Sequence, residues 1–102
     1  MSAELPRPGP VADDPNATEM IRVWLAHEAP QIAVRLGMWH EAGMDEREAW
    51  GYLLADVVRH VSRGLAEQCG WDPDETAGRV LDALVRHAQD GRGPAQGRFV
   101  DD

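Results

Sequence analysis

Apolar and polar positions follow two different periods along this chain. From Thr18 to Ala26 they alternate strictly, with Ile21, Val23 and Leu25 on one side and Met20, Arg22 and Trp24 on the other. Period two with β-branched and aromatic residues predicts a strand. Gln31 to Trp39 repeats the pattern, placing Ile32, Val34, Leu36 and Met38 opposite Ala33, Arg35, Gly37 and Trp39. The four residues His27 to Pro30 between the runs suit a hairpin loop. From Asp45 to Cys69 the period changes to three and four. Trp50, Leu53, Leu54, Val57, Val58, Val61 and Leu65 then share one stripe of a long helix, with Glu48, Arg59, Arg63 and Glu67 opposite. A second helix is bounded more sharply. Asp72 is an N-cap, Pro73 occupies the first turn, Glu75 stands three residues after the cap, and Gly91 follows the last apolar residue.

The predicted fold is therefore α+β: an antiparallel hairpin, about 18–26 and 31–39, packed on a long helix, about 45–69, and a shorter one, about 73–90. Everything else in the chain is expected to cover the apolar face of the long helix. Four prolines between positions 6 and 15 mark residues 1–17 as a flexible leader. The folded domain spans 18–91, and the glycine-rich residues 92–102 read as a loose tail. A lone hairpin has two open edges and is rarely stable, so either the tail adds a strand or hairpins of two protomers join.

Pairing Ala26 with Gln31 sets Arg22 opposite Arg35, a repulsive pair unless an acidic group stands between them. The outer hairpin face thus gathers Met20, Arg22, Trp24, Arg35 and Trp39, and Trp and Arg are the residue types enriched at interface hot spots. This face is the candidate interaction surface, and homodimerisation is the use expected for it. On the flank of the long helix Asp56 and His60 stand one turn apart and could border a pocket, since a carboxylate can orient an imidazole. No nucleophile accompanies them, so no residue is assigned a catalytic role. The histidines His27, His40, His60 and His87 lack metal-ligand spacing, and neither a metal nor another cofactor is expected. Trp50 and Trp71 read as helix-packing residues, and Cys69, the single cysteine, as an inert packing thiol.

Composition narrows the partners. With 102 residues the chain makes one domain, and its net charge of −8 opposes nucleic acid as a partner. All ten basic residues are arginine. No apolar run is long enough to span a membrane and no signal-peptide pattern opens the chain, so a cytoplasmic location is expected.

Two motifs, Ala17-Thr18-Glu19 followed by Ile21-Arg22-Val23-Trp24, and Ala49-Trp50-Gly51-Tyr52-Leu53-Leu54-Ala55-Asp56, carry a resemblance. Over roughly residues 17–90 the chain resembles small bacterial proteins known only as a domain of unknown function. The resemblance implies no activity but draws attention to Arg22, Trp24, Trp50 and Asp56. The function expected is that of a small acidic dimeric interaction or accessory protein without catalytic activity. The alternatives are a chaperone-like binding module for a protein partner, and a small-molecule binder or minor enzyme with a pocket at Asp56 and His60.

Overall fold

The structure, a computed structural model, describes residues 3–91 together with the backbone of residues 96–101. Strand β1 (Ile21–Ala26) turns directly into β2 (Ala29–Leu36). A short helix α1 (Met38–Glu41) leads to the long α2 (Glu46–Cys69), and α3 (Pro73–Asp90) precedes β3 (Gln96–Asp101). The sheet order is β1-β2-β3, with β1 antiparallel to β2 and β3 parallel to it. Parallel pairing requires a crossover, and the three helices supply it.

The α+β class and both main helices follow the local signals of the sequence. Asp72 Oδ2 accepts the Glu75 amide at 2.9 Å, and Asp45 Oδ1 accepts the Arg47 amide at 3.0 Å, so each helix starts on a side-chain cap. Gly70 and Gly91 close them with φ of 70° and 68°, the left-handed conformation that favours glycine at a helix end. On the exposed side of α3, Glu75 pairs with Arg79 at 3.4 Å and Asp82 with Arg86 at 3.7 Å.

The hairpin departs from the expected register. Its loop is not the four residues 27–30. Ala29 and Pro30 already belong to β2, and only His27 and Glu28 turn the chain, with φ of 54° and 62°. Ala26 consequently faces Ala29, Trp24 faces Gln31, and Arg22 faces Ala33 rather than Arg35. The slip is two residues, so each side chain keeps its predicted face while its neighbour changes. The second strand also ends early. Gly37, at φ 100°, breaks the extended backbone, and Met38 and Trp39 enter α1.

At the ends of the chain the leader has local structure, and of the two expected ways to extend the hairpin the structure has the one in which the tail adds a strand. Gly9–Asp13 forms a 3₁₀ turn, and Glu4 reaches β1, so the described part of the leader lies against the hairpin. Strand β3 arises within the stretch read as a loose tail, whose residues 92–95 lie outside the described part.

The packing between layers is thin. The closest contacts between elements join β1 to β2, β2 to β3, α2 to α3, and α1 to α2, while sheet and helices approach less closely. Among the described residues only Ala49, Ser62, Ala66 and Thr76 are buried, and no large side chain is fully enclosed. Ser62 and Thr76 return their hydroxyls to the Val58 and Asp72 carbonyls, at 2.6 and 2.7 Å, which satisfies them at the α2–α3 contact.

Candidate interaction surface

The outer face of the hairpin gathers part of the residues expected there. Met20, Arg22 and Arg35 line a shallow depression of about 280 Å³ together with Glu19, Ala33 and Val34. Like charge is relieved within the chain. Arg22 donates from Nε and Nη2 to Glu19 Oε2, at 3.2 and 3.0 Å, and its Nη1 lies 3.2 Å from Glu4 Oε2. The hydrogen bonds that Arg22 donates to Glu19, and the charge of that carboxylate, raise the Arg22 pKa above the ordinary value. Arg35 donates from Nε to the Glu19 carbonyl at 3.2 Å. The acidic group that the sequence demanded on this face is thus supplied by the chain itself. Trp24 remains 40 % exposed and borders a second depression, of about 250 Å³, formed where leader residues 3–8 lie along β1.

Trp39 is not on this face. Strand β2 stops before it, and α1 carries its ring to the start of α2, where it meets Trp50 edge-on with centroids 5.6 Å apart. Glu46 organises this junction. Its Oε1 accepts the amides of Trp39 and His40 at 2.9 and 3.1 Å, and its Oε2 accepts Trp50 Nε1 at 2.8 Å. Partial desolvation works to raise the Glu46 pKa. Donors from the His40, Gly37 and Trp39 amides and from the Trp50 indole outweigh it, so the pKa lies below the ordinary carboxylate value. Asp45 next to it is likewise lowered, chiefly by the Arg47 guanidinium. By holding two backbone amides and an indole at once, the Glu46 carboxylate fixes α1 on α2.

Asp56 and His60 both sit on the exposed flank of α2, and Asp56 is ion-paired with Arg59. The depression nearest to them in sequence is lined by Arg47, Glu48, Gly51, Tyr52, Ala55 and Arg59. Two residues read as packing groups are open instead: Trp71 is 56 % exposed and Cys69 lies on the surface. No group of three or more His, Cys, Asp or Glu among the described residues is placed to hold a metal ion. No helix among them is long and apolar enough to cross a membrane.

The surface that sequence reasoning misplaced is apolar. Leu54, Val57 and Val61 of α2 and Leu81, Leu84 and Val85 of α3 are each between 41 % and 53 % exposed. Their periodicity predicts a core position. The stripe is real, but nothing among the described residues covers it. One signal for this was present. Trp50, Leu54, Val57 and Val61 recur with strict 4-3-4 spacing, and so do Ala77, Leu81, Leu84 and Ala88. That spacing makes a narrow seam of the kind that meets another element. The hairpin adds a third open area, with Val23 and Leu25 at 53 % and 80 % exposure on the sheet face opposite Trp24.

Fold and surface together define a small α+β module with apolar faces left open on both layers. The chain belongs to the family described as a domain of unknown function, DUF5076, whose model matches residues 4–90. It is also similar to a solved structure from the photosynthetic bacterium Rhodopseudomonas palustrus CGA009, named there as a candidate pyruvate dehydrogenase. The two share 25 % identity and a TM-score of 0.65 over 90 % of this chain and 86 % of that one. No curated protein matches the chain.

Proposed function

We propose that this protein is a homodimeric interaction module, an accessory protein without catalytic activity, and that two copies associate through the apolar surface that helices and sheet leave open. The carrying observation is how much surface the chain exposes in all, the apolar rows included. The chain exposes 8719 Å², whereas a folded monomer of its mass exposes about 5,700 Å². Its radius of gyration is 15.5 Å, against about 13 Å for a compact domain of this length. The excess, about 3,000 Å² per chain and so about 6,000 Å² for a pair, includes the terminal segments as well as the apolar rows and exceeds the total of about 2,000–5,000 Å² that obligate dimers remove from water.

The Arg22 and Trp24 face is a weaker candidate for self-association than the apolar rows. Glu4 and Glu19 already meet the Arg22 charge, so a second copy would have to displace them. The pyruvate dehydrogenase name of the structural neighbour is not transferred, because the likeness assigns no residue of this chain to that activity. Light scattering across a wide concentration range tests the proposal. A mass of two chains, with a melting temperature that rises with protein concentration, is the expected result. A single-chain mass at every concentration overturns it.

A further inference from the structure

Among the described residues three apolar areas stand open in part: the α2 row, the α3 row, and the β1 edge of the sheet at Val23 and Leu25, beside the half-buried Ile21, Ile32 and Val34 of the same face. Among the described residues the closest contacts between elements run within the sheet and among the helices, and none of the principal ones joins sheet to helix, although α+β domains ordinarily bury one layer against the other. Three dimer geometries could cover these areas: helices on helices, sheet on sheet, or the helices of each copy on the sheet of the other. The first leaves Val23 and Leu25 in water, and the second leaves both helix rows there. The third brings a helix row of each copy onto the sheet of the other, and it does so twice, since a two-fold axis repeats every contact.

The geometry points to a reciprocal dimer in which the α2 row of each copy, Leu54, Val57 and Val61, seats on the Val23–Leu25 face of its partner. The occupant of the open sheet face is thus a second copy of this chain. Contact between chains replaces the sparse contact between layers of one chain, and the two-layer core forms only in the assembly. The excess of about 3,000 Å² per chain is enough for two such contacts. This arrangement rests on the homodimer proposed above, and the following test separates the two.

Two double variants are made, a sheet variant (Val23→Glu with Leu25→Glu) and a helix variant (Leu54→Lys with Val57→Lys). In a reciprocal dimer each variant alone spoils both contacts and is monomeric. Mixed, they restore a dimer, because one contact is unaltered and the other pairs Glu with Lys. Helix-on-helix pairing predicts that the sheet variant stays dimeric, and sheet-on-sheet pairing predicts the same of the helix variant. Either result overturns the reciprocal arrangement and leaves the dimer standing. Monomeric variants that fail to associate on mixing also overturn it, whereas a monomeric wild type overturns the dimer itself. Helical circular dichroism reports whether each variant folds. If the charged variants unfold, Leu25→Cys and Val57→Cys chains, both carrying Cys69→Ser, are mixed with a short bis-maleimide. A crosslinked product joining one chain of each kind is then expected, and products joining only like chains overturn the arrangement.

Discussion

His27 and Glu28 hold the hairpin at a cost that no contact among the described residues explains. Both adopt positive φ, where a side-chain-bearing residue loses about 1–2 kcal/mol relative to the right-handed region. Two-residue turns of this kind favour Asn-Gly. Replacing His27→Asn together with Glu28→Gly should therefore stabilise the protein by about 1 kcal/mol or more, read as a higher urea midpoint at unchanged slope. The absence of an Asn-Gly signature also explains why the sequence pattern suggests a register two residues away from the real one. Glu46 makes a second prediction at this scale. Its folded-state pKa is lowered, so its contribution to stability is complete above the unfolded value, about 4.3, and is lost as pH falls through the folded one. Glu46→Gln should lower the melting temperature at neutral pH and flatten its decline in acid. A variant with the wild-type acid profile would show that the three donors on this carboxylate contribute nothing.

Among the elements, the helices are legible in the sequence because their signals are local. Asp72, Pro73 and Gly91 mark both ends of α3 within the chain that forms it. Strand ends are less legible, because alternation continues through Leu36 and Met38 although Gly37 has already turned the backbone. The leader misleads for a similar reason. Its prolines forbid regular structure, but they do not prevent Glu4 from finding Arg22. Strand β3 is the least legible element, since a parallel edge strand depends on a distant neighbour rather than on its own pattern. Of the candidate site, Met20, Arg22 and Arg35 stand where the alternation puts them, and Trp39 goes elsewhere with the early end of β2. In α2, Gly51 has nothing within 4 Å of where a Cβ would stand. It therefore weakens the helix without admitting another described element of this chain. Gly51→Ala should add about 0.5–1 kcal/mol, measured by chemical unfolding. A loss of stability instead would mean that a second chain approaches there.

At the scale of the whole molecule, the described residues form well-defined helices and strands while few of their side chains are fully enclosed. Among the described residues only small ones, Ala49, Ser62, Ala66 and Thr76, are fully buried, which leaves little enclosed apolar surface to offset the entropy of ordering the chain. Hydrophobic periodicity shows that a residue wants cover. It carries no label for whose surface supplies that cover, and for this reason Leu54, Val57 and Val61 read as intrachain core. The acidic balance sets a condition on any self-association: with a charge of −8 on each copy, the approach of two chains is opposed at long range.

The parallel pairing of β3 with β2 bears on biosynthesis. The first residue of β3 follows the last of β2 by sixty positions, which a ribosome takes about 3–12 s to translate. Until β3 has been made, the β2 edge that it pairs with has no β3 to pair with. The order of synthesis thus makes β3 the last strand that the sheet can receive.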